Sequence, residues 1–244
     1  MQPLISVITP CFNGAATIEQ CIESIASQNY QNIEHIVIDG GSTDGTLDIL
    51  MKKGVRYISE PDAGIYDAMN KGIRLAKGEI VGILNCDDYY CSQDALGTVL
   101  KAFEDPEVSA CHGRIAQVFA NGKIACLVGR NVSFEALRRK MKVAHPALFL
   151  RRSVYERYGD YSVGFRIAAD HDFVLRIWNR VNINYIADVL IHMRMEGVSH
   201  KHFARSLRES SAAAVLHGRH PLLAYKDYLT SLFSHYVVLA WRRK

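Results

Sequence analysis

The sequence predicts an α/β protein with a mostly parallel central sheet flanked by helices. Over residues 4–103, short β-branched runs alternate with helix-like stretches, which is the pattern of strand–helix–strand units. The runs are hydrophobic throughout, as in strands that are buried on both faces. The 244-residue chain is 49% hydrophobic and 22% charged, an ordinary globular composition that excludes collagen-like and fully disordered classes.

Four strands and four helices are predicted in this region. The strands are Leu4–Thr9, Ile33–Asp39, Val55–Ser59 and Glu79–Leu84. The helices are Ala15–Ser27, Thr46–Lys53, Ile65–Ala76 and Asp94–Phe103. In the first helix, apolar residues recur every three or four positions, which predicts a face that packs against the sheet. Such sheets bind ligands beyond the carboxyl ends of their strands, so the residues that follow each strand are candidate site residues.

The second half begins with a predicted hairpin. Asn121-Gly122 is a strong turn signal between two runs, Ile115–Ala120 and Lys123–Val128. Ser133 is placed to cap a short helix over Phe134–Lys140. The remaining predicted elements are a strand over Ala147–Leu150 and a helix over Asp170–Arg180.

The C-terminal tail, residues 200–244, is basic and has a helical pattern. It carries a net charge of +6, whereas the whole chain carries +4. Apolar residues recur there at three- and four-residue spacing: Leu222, Tyr225, Leu229, Leu232, Tyr236 and Leu239, followed by Trp241–Lys244. This pattern fits a helix lying on an anionic membrane surface. It equally fits a helix that docks on the rest of the chain or on a second subunit in a homodimer.

Other features bear on location and partners. No apolar run reaches the roughly 18–20 residues of a spanning helix, and the first residues lack the pattern of a signal peptide. The six cysteines form no C-x-x-C pair, which favours reduced thiols in a cytoplasmic protein. The basic residues match no nucleic-acid-binding motif, so no nucleic acid partner is expected.

The first two strand ends suit a nucleotide. Thr9-Pro10-Cys11-Phe12-Asn13-Gly14 follows the first strand; its backbone and the Phe12 ring could hold a base, although a plain strand-to-helix turn explains the same residues. Asp39 ends the second strand, where a carboxylate can accept hydrogen bonds from a base or ribose. The Gly40-Gly41 pair after it allows close backbone approach. Asp44 is interpreted as a helix cap.

The fourth strand leads into Asn85-Cys86-Asp87-Asp88. Adjacent carboxylates at one strand end are costly unless a cation neutralises them. A divalent ion held by one or two carboxylates and a diphosphate is the usual solution. The alternative is that one aspartate only caps the next helix.

Two further polar groups are candidates. Asp62 precedes the third predicted helix, and Asp67, Asn70 and Lys71 share one face of it. They could contact sugar and phosphate, or form a solvated face. Asp170, at the start of a later helix, could be a general base or a partner of the helix dipole.

In this order and spacing, the motifs resemble a family 2 glycosyltransferase of the GT-A fold. The strings that carry the resemblance are VITPCFN, VIDGGSTDGT, SEPDAGIYDAMNKGI and LNCDDY, and the motif order extends over residues 4–195. The resemblance implies a catalytic domain over 1–199, with a Rossmann-like nucleotide-sugar-binding half (1–112) and an acceptor half (113–199), followed by the helical tail. The third string most resembles bacterial transferases that build exopolysaccharide, capsule or O-antigen units.

The resemblance also implies an activity. Family members transfer a sugar, with inversion, from a nucleotide-diphospho-sugar to an acceptor hydroxyl. For this chain it implies a UDP-linked donor and a glycan acceptor, lipid-linked in surface polysaccharide or lipopolysaccharide synthesis. Together with the tail, this predicts a cytoplasmic enzyme held at the inner face of a bacterial inner membrane.

The roles of individual residues follow from the same resemblance. The nucleotide-sugar contacts would be Thr9, Pro10, Phe12, Asn13, Asp39, Asp62, Asn70, Lys71 and Asp87. Asp87 and Asp88 would hold Mg²⁺ or Mn²⁺. Asp170 would be the catalytic base, with Asp172 as a second candidate, and His145 would lie on the acceptor side.

Three positions depart from the family pattern. Asn85 stands where many members have the first Asp of D-x-D, Met69 where an Arg often contacts the diphosphate, and Ala169 where a Glu often precedes the base. Lys71 or the basic segment Arg138–Lys142 would then supply the missing positive charge. The departures favour one alternative, a sugar-nucleotide-binding protein without turnover. A nucleotidyltransferase is a second alternative, but it would need a Gly-rich basic loop after the first strand.

Overall fold

A computed structural model describes residues 2–195 and 202–242. The predicted boundary at 199/200 lies outside the described residues, as do Lys201, Arg243 and Lys244 of the basic tail. The side chains of Tyr236, Leu239 and Trp241, which belong to the predicted tail pattern, also lie outside the described part.

The first half is a run of alternating strands and helices. Its strands are β1 (Ile5–Cys11), β2 (Ile33–Asp39), β3 (Arg56–Ser59), β4 (Ile80–Ile83) and β5 (Tyr89–Tyr90). Its helices are α1 (Ile18–Ala26), α2 (Thr46–Lys53), α3 (Ile65–Leu75) and α4 (Ala95–Ala102). The order β3-β2-β1-β4 is parallel throughout, so the carboxyl ends of these strands meet at one edge. Cys11 pairs with Asp39, which aligns the loops after β1 and β2.

The second half adds a mixed sheet and a helical end. Its strands are β6 (Val108–Val118), β7 (Ile124–Val128), β8 (Leu148–Arg151) and β9 (Asn182–Arg194). Its helices are α5 (Phe134–Arg139), α6 (Arg152–Tyr158), α7 (Ala169–Ile177), α8 (Phe203–Leu216) and α9 (Pro221–Arg242), and a 3₁₀ turn covers His145–Ala147. Among the described residues, the sheet has nine strands in the order β3-β2-β1-β4-β8-β6-β9-β5, with β7 on β6.

The core lies on both faces of the sheet. One face is covered by α1 and α4 and the other by α3 and α7, which confirms the flanking helices predicted from the hydrophobic runs. Helix α3 lies so close to β1 and β2 that a Cβ at Gly72 would stand 2.3 Å from Ile8 Cγ2. This contact fixes the start of α3, and therefore the Asp62–Gly64 loop, above the ends of β1 and β2.

The structure differs from the sequence prediction mainly after residue 104. The predicted hairpin is confirmed, because β6 and β7 pair antiparallel across Asn121-Gly122. Ser133 Oγ accepts the Ala136 N–H, 3.3 Å away, and so caps α5 as predicted. Three elements were not predicted at all: β5, α6 and β9, whereas α8 lies within the tail that was predicted to be helical. Parallel pairing also ends at β4, since β8 runs antiparallel to both β4 and β6.

The described part of the tail forms two antiparallel helices, α8 and α9, which we call the C-terminal hairpin. Phe203 near the start of α8 stacks on His235 of α9, with ring centroids 3.7 Å apart. The predicted apolar stripe faces outward: Leu222, Tyr225 and Leu229 are 74%, 61% and 44% exposed. The expectation that this stripe docks on the rest of the chain is therefore wrong for these residues. Among the described residues, none of the helices combines the length and hydropathy that crossing a bilayer requires.

Candidate active site

Hydrogen bonds join the loops after β1 and β2 into one surface. Asn13 adopts the left-handed conformation, with φ of +50°, which asparagine tolerates better than most residues. Its N–H donates to Ser42 Oγ (2.7 Å), and its Oδ1 accepts the N–H of Thr43 (2.9 Å). Asp44 accepts the N–H groups of Ala15 and Thr46 (3.0 and 3.1 Å), but the N-cap residue of α2 is Gly45, so the expectation that Asp44 is the cap is wrong. The main chain and side chain of Asn13 thus hold the loop after β1 against the loop after β2.

Asp39 organises the second loop. Its carboxylate is fully buried, and Oδ2 accepts the N–H groups of Gly41 and Ser42 (3.1 and 3.0 Å) and the Ser59 hydroxyl (2.7 Å). The Ser42 hydroxyl donates to Oδ1. These donors compensate the charge of a buried carboxylate. The side chain expected to bind the base therefore also fixes the loop beside it.

Phe12 and Asp62 face each other across Gly40. The Phe12 ring is 64% exposed. A Cβ at Gly40 would lie 2.5 Å from Asp62 Oδ2 and 3.4 Å from Phe12 Cδ2, so only glycine leaves this space open. Asp62 Oδ1 accepts the Gly64 N–H (2.8 Å), which turns Oδ2 towards Gly40. An exposed ring beside a carboxylate at the strand edge can stack on a base and hydrogen bond to it.

Thr9 and Pro10 lie deeper than Phe12. Both are buried in β1. Thr9 Oγ1 is 2.9 Å from His35 Nε2 on β2 and 3.9 Å from Cys21 Sγ on α1. The Thr9 side chain therefore points into the core. If Thr9 contacts a nucleobase, as expected from the sequence, it would do so through its main chain.

Lys71 and Asn70 have partners within the protein. Lys71 Nζ lies 2.9 Å from Glu60 Oε1 and 3.0 Å from the Pro61 carbonyl, so it holds the loop that carries Asp62. Asn70 is buried; its Nδ2 donates to the Tyr161 carbonyl (2.9 Å) and its Oδ1 accepts the Tyr161 N–H (3.0 Å). A direct contact between Asn70 and a nucleotide-sugar would have to replace these two hydrogen bonds to the Tyr161 main chain.

The acidic loop after β4 holds an uncompensated carboxylate. Asp88 is 1% exposed, and its Oδ2 accepts from Asn85 Nδ2 (3.1 Å). Asp88 Oδ1 and Asn85 Oδ1 are both buried with no hydrogen-bond partner among the described residues. Burial, followed by the charge of the half-buried Asp87, raises the pKa of Asp88 well above its usual value. Hydrogen bonding from the Asn85 side chain and the Arg194 main chain offsets only part of this effect.

These residues fit a divalent cation. Mg²⁺ and Mn²⁺ bind oxygen ligands such as the buried Asp88 and Asn85 oxygens. A bound ion would also stabilise the charged form of Asp88, which its surroundings disfavour. The part of the chain that is described contains no cluster of three or more His, Cys, Asp or Glu suited to a metal. Asp87, Asp88 and the Asn85 oxygen would therefore need further ligands from a diphosphate and water. Asn85, which departs from the family pattern, still supplies an oxygen beside Asp88.

Arg194 at the end of β9 braces this loop. Its guanidinium donates to the Asp87 carbonyl and to Gln20 Oε1 and lies 5.2 Å from the centroid of the Tyr89 ring. Sequence reasoning missed Arg194, because β9 itself was not predicted. Arg138, in the segment expected to supply charge, instead donates to the Gly218 carbonyl (2.7 Å) and pairs with Glu135.

Asp170 lies on the opposite side of the Asp62 loop. It is half-buried in the first turn of α7. The Tyr66 hydroxyl is 3.1 Å from Asp170 Oδ1 and 2.7 Å from the Ile167 carbonyl, so its single proton is shared between them. Burial and the Asp170 charge raise the pKa of Tyr66 well above its usual value, which keeps the hydroxyl a donor. Tyr66 belongs to the first turn of α3, so α3 connects Asp62 with Asp170.

His145 joins the same cluster through Tyr161. Its Nε2 is 3.0 Å from the Tyr161 hydroxyl, and the Tyr161 ring centroid is 5.8 Å from that of Tyr66. Burial lowers the pKa of His145 against an opposing effect of the Asp170 charge. The structure thus brings together His145 and Asp170, which are far apart in sequence, around the Tyr66 and Tyr161 rings.

Asp172 faces away from this cluster. Its carboxylate is buried, 2.6 Å from Arg176 Nη2 and 2.9 Å from His217 Nε2 on α8. Burial favours a higher pKa for Asp172, but the hydrogen bonds from His217 and Arg176 outweigh it and the net pKa is lowered. Both oxygens are thus engaged between α7 and α8, which favours Asp170 over Asp172 as the base.

Two solved structures share this architecture. TarS of S. aureus, residues 1–349 in complex with UDP-GlcNAc, has a TM-score of 0.70 and 18% identity over 96% of this chain and 73% of that chain. The mannosyltransferase PcManGT from Pyrobaculum calidifontis, in complex with GDP-Man and Mn²⁺, has a TM-score of 0.70 and 22% identity over 96% and 70%. This chain spans 42% of the longer TarS structure. The fold is that of the GT-A glycosyltransferases.

Sequence similarity gives the family. A model described as Glycosyl transferase family 2 matches residues 6–170. The PGL/p-HBAD biosynthesis glycosyltransferase of Mycobacterium bovis is 34% identical over 184 residues, which cover 72% of this chain and 70% of the relative. The chain belongs to glycosyl transferase family 2 and is a glycosyltransferase, which confirms the resemblance found in the motifs.

Proposed function

We propose that the chain transfers a sugar, with inversion, from a nucleotide-diphospho-sugar to a hydroxyl of a lipid-linked glycan or glycolipid. One observation carries the proposal: a buried carboxylate oxygen of Asp88, which has no hydrogen-bond partner in the described part of the chain, lies after β4 at the sheet edge formed by the ends of β1 and β2. Ligands of such sheets bind at this edge. A cation and a diphosphate would remove the electrostatic cost of the acidic loop.

We propose UDP as the nucleotide of the donor. The base would stack on the exposed Phe12 ring and hydrogen bond near Asp62, since these two side chains lie next to Gly40. Buried Asp39 would hold the loop beside them through its hydrogen bonds with Gly41 and Ser42. The UDP-GlcNAc complex of TarS and the GDP-Man complex of PcManGT support a nucleotide-diphospho-sugar. A divalent ion held by Asp87, Asp88 and the Asn85 oxygen would act as a Lewis acid and stabilise the charge on the leaving diphosphate.

Asp170 is proposed as the general base that accepts the proton of the acceptor hydroxyl. In an in-line displacement, the acceptor oxygen forms a bond to the anomeric carbon while the bond from that carbon to the diphosphate oxygen breaks. The acceptor proton passes to the Asp170 carboxylate, and the nucleoside diphosphate leaves on the opposite side. Tyr66 fixes Asp170 Oδ1 by its hydroxyl, 3.1 Å away. Such positioning of the base before reaction lowers the barrier.

We also propose that the acceptor is reached at an anionic membrane surface. The C-terminal hairpin exposes Leu222, Tyr225, Leu229 and Phe233 on one face of α9, beside the exposed cations Arg208 and Lys226. The acids of the hairpin are engaged internally: Asp227 pairs with Arg219 and Glu209 with Arg205. A second copy of this chain would bring like charge against this face, which favours lipid headgroups over a homodimer.

Turnover of a panel of nucleotide sugars with Mn²⁺, followed by mass spectrometry, tests the proposal. We expect one UDP-sugar to be transferred or slowly hydrolysed. Asp170→Asn should lower turnover by about 10²–10⁴-fold, the usual contribution of a general base, and leave UDP binding unchanged. Asp160→Asn is the control, because the Asp160 carboxylate pairs with Arg74 (3.0 Å), which has no role in the proposed mechanism.

Two outcomes would contradict the assignment. If Asp170→Asn keeps normal turnover while Asp172→Asn abolishes it, the base is not Asp170. If UDP-sugars bind with Mn²⁺ but no variant or wild-type protein turns them over with any acceptor or with water, the chain is a sugar-nucleotide-binding protein.

A further inference from the structure

Glu209 on α8 holds the loop that leads to Asp170. Its Oε2 accepts three successive main-chain N–H groups, those of Arg166 (2.9 Å), Ile167 (2.7 Å) and Ala168 (3.2 Å). These N–H groups precede α7, where a helix start leaves donors unpaired unless a side chain accepts from them. One carboxylate from the C-terminal hairpin therefore fixes the entry to the helix that carries Asp170.

The Glu209 carboxylate is charged where it makes these contacts. Its side chain is 16% exposed, and its Oε1 accepts from Arg205 Nε (2.9 Å). Burial favours a higher pKa for Glu209, but the loop N–H groups and Arg205 outweigh it, and the net pKa is lowered. Hydrogen bonds to a charged acceptor are stronger than neutral ones, so the loop is tightly held.

The same loop is also held by residues of α3 and of the loop before it. The Ile167 N–H donates to Glu209, and the Ile167 carbonyl lies 2.7 Å from the Tyr66 hydroxyl that also reaches Asp170 Oδ1. The Arg166 guanidinium donates to the Ala63 carbonyl beside Asp62. The peptide at Ile167 is thus fixed on both sides, and its position determines where the Tyr66 hydroxyl and the Asp170 carboxylate meet.

We propose that Glu209 is a positioning residue for the catalytic base. It acts through the 166–168 loop and Tyr66, and it connects the C-terminal hairpin to the active site. This inference rests on the proposed function, in which Asp170 accepts the acceptor proton. Glu209 itself does not touch the donor, because the proposed donor contacts lie on the loops after β1, β2 and β4.

The test separates turnover from donor binding. We expect Glu209→Ala to lower kcat by about ten- to a hundredfold, the effect of a misplaced catalytic group. The KM of the donor and the Kd of UDP with Mn²⁺, measured by calorimetry, should change less than twofold. Glu209→Gln keeps an oxygen that can accept the three N–H groups, so it should recover part of kcat. Asp227→Asn is the matched control, because Asp227 is an acid of the same hairpin whose carboxylate pairs with Arg219 instead of with the 166–168 loop.

The double variant Asp170→Asn/Glu209→Ala provides the decisive comparison. If Glu209 acts through Asp170, the double variant should be no more than about twofold slower than Asp170→Asn alone, since residues that act as a unit are non-additive. A further tenfold loss, or a parallel loss of UDP affinity in Glu209→Ala and Glu209→Gln, would overturn the proposal. If Asp170→Asn keeps wild-type turnover, the proposed base is wrong and the role of Glu209 with it. If only Asp170→Asn is impaired, the role of Glu209 alone is wrong.

Discussion

Asp88 combines deep burial with a charge that the protein does not compensate. Its carboxylate is 1% exposed, and its Oδ2 accepts a hydrogen bond from the Asn85 side chain (3.1 Å). Because the pKa of Asp88 is raised above its unfolded value, the folded state binds a proton there more tightly than the unfolded state. Stability from this group is therefore present below the unfolded pKa of 3.8 and is lost as pH rises through the folded pKa.

Asp88→Asn should consequently stabilise the protein in the absence of metal. We expect a rise in Tm of about 2–4 °C at pH 7, equivalent to roughly 1 kcal/mol for a chain of this size, and a smaller decline of Tm between pH 4 and pH 7. The variant should lose the increase in Tm that Mn²⁺ with UDP gives to the wild type, because its amide cannot neutralise the ion. Thermal denaturation with and without Mn²⁺ and UDP measures both effects.

Asp48→Asn is a suitable control, since Asp48 lies in the first turn of α2, away from the acidic loop. It should leave the response to Mn²⁺ and UDP unchanged. A lower Tm of metal-free Asp88→Asn would show that the carboxylate is already compensated within the protein. An undiminished response to Mn²⁺ would place the cation elsewhere.

The sequence was informative about which residue types gather at the site and less so about their partners. Asp39, Asp87, Asp88 and Asp170 follow strands or begin a helix, and such positions can be predicted from the hydrophobic pattern. The Tyr161 main chain that engages Asn70 is 91 residues away, and no local pattern could indicate it. The loop contacts of Glu209 were missed for the same reason, because a single acid in a basic helix carries no signal.

At the scale of elements, the close approach of α3 to the sheet places Tyr66 and the Asp62 loop. Gly72 makes this approach possible, because an added Cβ would lie 2.3 Å from Ile8 Cγ2 and 3.3 Å from Ile38 Cγ1. Both isoleucines are fully buried and cannot move aside without shifting strands. Alanine is otherwise favoured over glycine inside a helix by about 1 kcal/mol.

We therefore expect Gly72→Ala to destabilise the fold by about 1–3 kcal/mol, the usual cost of overpacking, in spite of its better helix propensity. Urea denaturation should show a lower midpoint with an unchanged slope. Turnover should fall as well, because α3 would move away from the sheet together with Tyr66.

Gly97→Ala in α4 is the matched control. An added Cβ there would meet Asp94 Oδ1 at 2.7 Å, and the carboxylate of an exposed aspartate can rotate away. We expect Gly97→Ala to be neutral or slightly stabilising. If Gly72→Ala is equally harmless, α3 does not depend on this close contact.

The first half of the fold was predictable because its strands are uniformly hydrophobic runs and its helices lie between them in regular alternation. Elements after residue 104 were harder for physical reasons. Strand β9 has no regular alternation of exposed and buried residues and contains Asn182 and Asp188. Its pairing with β6 contains three register shifts. Strand β5 has two residues, too few for a periodic signal. Helix α8 has few buried side chains, chiefly Ala213 and Ala214.

At the scale of the whole molecule, the C-terminal hairpin has two different faces. Its inner face contacts the catalytic part through Glu209, through His217 at Asp172, and through the Gly218 carbonyl at Arg138. Its outer face carries exposed apolar side chains and basic residues. An apolar groove of about 640 Å³ lies between α8 and α9, with Arg208 among its lining residues. A membrane surface bound to the outer face would therefore contact the same hairpin whose helix α8 holds the 166–168 loop before Asp170.

The basic residues should give salt-dependent binding to anionic lipid. Each Lys or Arg near an anionic surface contributes about 1 kcal/mol. Arg208→Gln/Lys226→Gln should therefore bind vesicles of phosphatidylglycerol and phosphatidylcholine about tenfold or more weakly at low salt. Sedimentation with vesicles over a range of NaCl concentrations measures this effect. Equal binding of the full chain to pure phosphatidylcholine vesicles would rule out an electrostatic contribution.

The apolar face should contribute independently of charge. Leu222, Leu229 and Phe233 are 44–74% exposed, and inserting such side chains into the interface stabilises binding in proportion to their apolar area. Replacing all three by Ser should weaken binding to phosphatidylglycerol vesicles by about tenfold or more, while Met51→Ser/Ile124→Ser, at comparably exposed positions of the catalytic part, should have no effect. Turnover of a soluble acceptor should be unchanged in both variants, because none of these residues contacts the site. If the triple variant binds vesicles like the wild type but changes from dimer to monomer in size-exclusion chromatography, the face binds a second copy of the chain instead of lipid.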